Sequence, residues 1–175
     1  RLSAHQHRGA PLIWRAPLGI SLGLVEGWTC DNELTDVPGG AAMMMYPLGH
    51  NRQSAMRLAP VIYANFLSKL DSGDTLEELA SLHQADLAAA HPEYSFEVEQ
   101  MTLSDRNGET RPALLRRASG PPPIYGEEHA LYIDYGEFAL LVALCAPPSE
   151  SESLFPQLIG LYEDSFTMTV VDRRH

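Results

Sequence analysis

Between Tyr94 and Ala146 the chain reads as four apolar runs folded back on one another by two tight turns, with no strand-helix-strand unit among them. Phe96, Val98, Met101 and Leu103 lead into Asp105-Arg106-Asn107-Gly108, whose Asn-Gly end favours a hairpin. Leu114 and Leu115 mark the returning strand, and Pro112 early in it suits a strand start or an edge better than a central position. The loop from Ser119 to Gly126 is stiffened by Pro121, Pro122 and Pro123. Beyond it, Ala130 to Ile133 and Phe138 to Leu144 are joined at Asp134-Tyr135-Gly136-Glu137, a second hairpin. Tight turns connect antiparallel neighbours, whereas parallel strands need long crossovers. The segment therefore predicts an antiparallel sheet in an α+β protein, with helices covering its faces.

The flanking segments supply those helices and further strands. Residues 1–12 read as an N-terminal tail, 13–170 as a single domain and 171–175 as a C-terminal tail. Ile20, Leu22, Leu24 and Trp28 fall at even positions and predict a first strand ending in a Gly27-Trp28 turn. A loop from Asp31 to Gly40 leads to the short apolar run Ala41 to Tyr46, which Pro47 stops. Leu48 to Ser54 reads as a polar loop, and Met56 to Leu67, with Val61, Ile62, Tyr63 and Phe66, as a central strand. The next element is a helix. Asp74 with Glu77, or Thr75 with Glu78, makes a capping box, and Leu76, Leu79, Ala80, His83 and Leu87 follow at helical spacing until Ala90 and Pro92. Leu154, Leu158, Leu161, Tyr162 and Phe166 predict a closing helix. Pro156 is tolerated only in a first turn, which puts its start near Ser153.

The 175 residues carry a formal charge of −11, from 23 acids against 12 bases. That balance excludes the clustered Lys and Arg a nucleic-acid binder needs. The acidity is uneven. Residues 1–60 hold five Arg against four acids, while 61–175 hold seven bases against nineteen acids, dispersed as a solvated coat. The longest apolar stretch, Phe138 to Ala146, is far short of the ~20 residues that cross a bilayer. Cys30 and Cys145 are the only cysteines, too few for a cysteine-only zinc site. Two readings stand for them: a single disulfide, or two buried thiols acting as small hydrophobes.

Chemistry-bearing motifs are sparse. The sequence has no Gly-x-Ser-x-Gly elbow, no phosphate loop and no His-Glu-x-x-His helix. His5 and His7 lack a ligating companion and read as part of a solvated tail, so no metal or cofactor is assigned. His83, on the apolar stripe of its helix, reads as a partly buried residue hydrogen-bonded through one nitrogen. Glu127, Glu128 and His129 bring acid and base together, yet consecutive strand positions point to opposite faces. Met43, Met44 and Met45 read as core with one outward Met. The long loops at 31–40, 48–54 and 119–126 are the expected recognition surface, and within them His50, Arg52, Ile124 and Tyr125 are the candidate binding residues.

Gly27-Trp28, Gly39 through Tyr46-Pro47, the strand Val61 to Phe66, Thr75-Leu76-Glu77-Glu78, the Asn107-Gly108 hairpin and the closing helix through Tyr162 to Phe166 form a recognisable series. It resembles the PsbP-like α/β/α sandwich over residues 18–167, and most of all its uncharacterised exported bacterial members of the DcrB type. The resemblance implies a non-catalytic binding or assembly protein, not an enzyme, in a periplasmic or other extracytoplasmic compartment with a protein as its partner. It carries over no catalytic residue. Two alternatives are kept: a cytoplasmic chaperone of secreted effectors, and a metal-dependent or hydrolytic enzyme whose site is assembled from distant residues.

Overall fold

The computed structural model of the protein describes residues 18–31, 43–69, 75–120, 126–136 and 138–170. Among these residues nine strands and three helices follow in the order β1 (Leu18–Ser21), β2 (Trp28–Asp31), β3 (Met43–Pro47), α1 (Arg52–Leu58), β4 (Val61–Ser68), α2 (Leu76–Ala90), β5 (Ser95–Ser104), β6 (Thr110–Ser119), β7 (Glu127–Asp134), β8 (Phe138–Ala146), α3 (Pro148–Ser165) and β9 (Thr167–Val170). Seven strands form one antiparallel sheet in the order β2-β3-β4-β8-β7-β6-β5, and β1 pairs with β9 in a small second sheet.

Both expected hairpins are present. In the first, Asp105 accepts at its side chain from the backbone N–H groups of Asn107 and Glu109, and Gly108 takes the left-handed φ of +81° that closes a three-residue loop. In the second, Gly136 has a φ of +85° and donates its N–H to Asp134 Oδ1 at 2.8 Å. Pro112 pairs with Thr102 of β5 one residue before the ladder to β7 begins, so no β7 carbonyl waits for the N–H it lacks.

Strand alternation sends two sets of side chains to two helical layers. One face carries Met45, Ile62, Leu115, Leu131, Val142 and Leu144, packed under Leu154, Leu158 and Tyr162 of α3. The other carries Leu114, Ala130, Tyr132, Leu141 and Ala143 under Leu76, Leu79 and Ala80 of α2, then Met44, Tyr46, Val61 and Cys145 under Ala55 and Ala59 at α1. The α2 start uses the second of the two capping boxes: Thr75 Oγ1 accepts from the Glu78 N–H at 3.1 Å, and Glu78 returns the bond to the Thr75 N–H at 3.2 Å. Thr75→Ala should cost about 1 kcal/mol by urea denaturation. An unchanged midpoint would mean that tertiary packing alone sets this helix start.

Four expectations need correction. The apolar positions from Ile20 to Trp28 are not one strand: β1 ends at Ser21, Leu22 enters the core, and β2 begins at Trp28. Residues 52–58 are helical, neither loop nor strand, because Asn51 caps them reciprocally with Ser54. Met44 does not face outward. All three methionines are buried, since α3 covers one side of β3 and α1 the other. The closing helix starts at Pro148, not near Ser153, so Pro156 lies inside it.

Candidate functional site

The end of the sheet that holds Pro47, Val61, Ser119, Glu127 and Ala146 collects the functional candidates. The turn 48–51 with α1 leaves this end, and so does the segment between Ser119 and Glu127, whose base is closed by Gly120 N–H donating to Gly126 O at 3.0 Å. Strand directions thus bring two of the three expected recognition loops to one end. The third, after Asp31, leaves from the opposite end. Ile124 and Tyr125 lie outside the described residues.

His50 and Arg52 lie together at the α1 corner. His50 is half-buried, with Nδ1 3.3 Å from Ser54 Oγ, which ties its ring to the helix cap. Arg52 is the first residue of α1, close enough to Tyr46 to oppose the upward shift of that phenol, which burial and then Asp31 cause. Residues 43–69 contain Arg52, Arg57 and Lys69 and no acid. Lys69 donates to Asp134 at 2.6 Å. Burial would raise the Asp134 carboxyl, but the bonds from Lys69 and the Gly136 N–H outweigh that and hold it below its usual value. The α1 corner also exposes large apolar side chains, Leu48 at 66%, Met56 at 41% and Leu58 at 78%. In this seven-residue helix, about 10 Å long, Arg52 and Met56 are four apart and share a side, whereas Leu58, two residues beyond Met56, turns to another, so the basic and apolar groups surround the corner.

Beneath the junction of α1 and α2 lies a buried polar cluster that sequence spacing did not bring together. Arg116 of β6 and Glu128 of β7 form an ion pair through Nη2 and Oε1, with the Arg116 side chain only 3% exposed. Burial works against the guanidinium charge, but Glu128 outweighs it and holds Arg116 above its ordinary pKa. Tyr63 Oη donates to Glu128 Oε2 at 3.1 Å, and the Cys145 thiol lies 3.6 Å from the same oxygen. Next to them, His83 Nδ1 and Tyr132 Oη are 2.9 Å apart, which makes His83 the partly buried, singly bonded histidine its helix position implied. Burial lowers the His83 pKa, with Arg116 acting in the same sense.

Both cysteines are held as protonated thiols. Burial, then Asp31, pushes Cys30 up to about 12, and burial, then Glu128, pushes Cys145 well above its usual value. No disulfide joins them. Cys30 pairs across to Met45, which pairs to Ile62 and then Leu144, whereas Cys145 points to the other face. Three strand spacings, roughly 14 Å, exceed the ~7 Å Cα separation a disulfide spans.

On the α3 face, Glu127 and His129 lie two residues apart and share one side, while Glu128 between them points away. Ser151 Oγ donates to Glu127 Oε2 at 2.5 Å, and the His129 ring lies tilted against Phe155 with centroids 4.7 Å apart. Burial lowers the His129 pKa. A cleft of about 340 Å³ opens here. Among the described residues no three His, Cys, Asp or Glu side chains are grouped to hold a metal, and no helix is long and apolar enough to cross a membrane.

A seven-stranded antiparallel sheet with helices on both faces defines an α/β/α sandwich of the PsbP/Mog1 fold. The solved structures it is similar to include PsbP (CyanoP) from the cyanobacterium Synechocystis, with 11% identity and a TM-score of 0.52 over 87% of this chain and 86% of that one. The Ran-binding protein Mog1p of Saccharomyces cerevisiae has 15% identity and a TM-score of 0.50 over 87% and 90%. LpqN of Mycobacterium tuberculosis, involved in cell envelope biogenesis, has 15% identity and a TM-score of 0.48 over 88% and 85%. At these identities the likeness is one of fold. No family model matches the chain, and no curated protein matches it.

Proposed function

We propose that the chain is a non-catalytic, extracytoplasmic binding protein that holds an acidic, apolar segment of a protein partner on its α1 corner. The observation that carries this reading is the exposure of Leu48, Met56 and Leu58 around Arg52 and Arg57 in an acid-free stretch of an otherwise acidic chain. Exposed apolar groups rimmed by charge are the usual makings of a protein-interaction surface. Mog1p, with the same fold, is itself a Ran-binding protein, which supports a protein as the partner. Most of the groups that could carry chemistry are engaged with one another: Glu128 with Arg116 and Tyr63, Ser151 with Glu127, and His83 with Tyr132. The chaperone alternative calls for a broad apolar sheet face, whereas α1, α2 and α3 cover the central strands on both sides.

The test is crosslinking in the source cell with the native chain, with Met56→Asp/Leu58→Asp, and with Asp164→Lys at the exposed end of α3. One protein should be captured by the native chain and by Asp164→Lys, and at least tenfold less by the α1 variant. Equal capture by all three would overturn the assignment to α1. Fractionation of the full-length gene product should place it outside the cytoplasm, and a cytoplasmic location would overturn that part.

A further inference from the structure

The strand β5 forms one end of the seven-stranded order, and among the described residues nothing pairs with its outer edge. It is ten residues long, and its register against β6 runs without a break from Ser95↔Ser119 to Ser104↔Thr110. Natural sheets blunt such edges with bulges, prolines, lysines or very short strands. This strand, SFEVEQMTLS, has no Pro, Lys, Arg or bulge and is not short; the one device it carries is the negative charge of Glu97 and Glu99, which disfavours an acidic strand and leaves the edge open to a basic one. An outward row of backbone donors and acceptors is therefore kept open, as in proteins that bind extended segments by adding a strand.

The side chains on this edge define what would fit it. Glu97 and Glu99 point to the α3 side, while Phe96 and Val98 point to the α2 side, where Val98 is 53% exposed. On the α3 side the edge opens directly into the 340 Å³ cleft, lined by Glu97, Arg117, Glu127, His129, Glu152 and Phe155 among others. Three carboxylates face one guanidinium there, and that guanidinium is 3.3 Å from Glu99. His129 lines the same cleft and is only 9% exposed, with its Nδ1 buried and without a hydrogen-bond partner. Phe155, its ring tilted against that of His129, adds an aromatic side chain to the lining, a group that favours cations.

We propose that the outer edge of β5, together with the acidic cleft beside it, receives an extended protein segment in which basic and apolar residues alternate. The backbone of the incoming strand pairs with β5. Its Lys or Arg side chains lie along Glu97 and Glu99 and reach the cleft, and its apolar side chains lie along Phe96 and Val98. A second copy of this chain fits poorly, because antiparallel β5–β5 pairing sets Glu97 and Glu99 of both copies on one face, where like charges across strands repel. The site is separate from α1 and does not depend on that surface.

The experiment uses the full chain and two soluble peptides, one alternating Lys with Val and Thr, the other with Glu in place of Lys. Binding is read by fluorescence anisotropy and by amide hydrogen exchange along β5. The basic peptide should bind at least tenfold more tightly than the acidic one, weaken with added salt, and slow exchange at alternate β5 amides. The exposed double variant Glu97→Lys/Glu99→Lys should lose that binding at least tenfold while unfolding at the native urea midpoint. Equal binding of both peptides, or slowed exchange confined to residues outside β5, would overturn the proposal. So would a β5-mediated dimer seen by sedimentation. Intact peptide binding by Met56→Asp/Leu58→Asp separates this site from the α1 corner.

Discussion

Glu128→Ala is expected to lower the unfolding free energy by about 3–5 kcal/mol. Arg116 is 3% exposed, and two of its guanidinium nitrogens, Nε and Nη1, already lack hydrogen-bond partners. Glu128 is therefore the anion that makes its burial tolerable. Removing it leaves a cation in a low-dielectric layer between the sheet and its helices, and it also takes the acceptor from Tyr63 Oη. The ion pair does not have to stabilise the fold in absolute terms, since an apolar pair of similar volume avoids both desolvation costs. The double variant Arg116→Met/Glu128→Leu should accordingly recover most of the loss. Urea denaturation of the three proteins checks this. A loss below about 1 kcal/mol for Glu128→Ala would mean that Arg116 reaches water, and a double variant as unstable as the single one would mean that the charges themselves hold the layer together.

The same cluster shows where sequence reading stops. Hairpins and caps were legible because their signals are local: Asn107-Gly108 and Gly136 mark turns, and Thr75 with Glu78 marks a helix start. Pairing across distance was not. Tyr63, His83, Arg116, Glu128, Tyr132 and Cys145 meet only because β4, β8, β7 and β6 are neighbours in that order, and no spacing along the chain encodes the order. One local signal was available. Arg116 continues the parity of Leu114 within a strand whose 113–116 stretch is buried throughout, so a charge there had to find a partner. The helix α1 was missed for a different reason. It buries only Ala55, leaving no apolar stripe to read, and its sole mark is the Asn51 and Ser54 cap. Pairing of β1 with β9 joins the two ends of the domain and has no local signature. The α1 corner is half legible: His50 and Arg52 stand out in the sequence as loop candidates, while the exposed Met56 and Leu58 lie inside what reads as a strand.

Pro156→Ala should act in the opposite direction and raise stability by about 1–3 kcal/mol. Proline is compatible with the first turn of a helix, and the helix α3 meets that rule twice over at its start, with Pro147 as its N-cap and Pro148 at its first position. Because those two residues fix the start, the chain reaches Pro156 two turns later with the helix already formed. The proline withholds the N–H that the Glu152 carbonyl would accept, and its ring crowds that carbonyl. The neighbouring polar residues respond: Gln157 Nε2 donates to the Ser153 carbonyl at 3.1 Å, and Ser153 Oγ donates to the Glu150 carbonyl at 3.1 Å. Both bonds go to other carbonyls, so neither supplies the donor that the Glu152 carbonyl lacks. The side chain of Pro156 is exposed, so Ala loses little packing there. A gain in thermal and urea midpoints is therefore the expected result, and a loss would show that the proline ring packs more usefully than its exposure implies. Pro156 also lines the cleft that holds Phe155 and His129. If the Ala variant gains stability yet binds the basic peptide less tightly, the proline is kept for the shape it gives that cleft, at the expense of the helix.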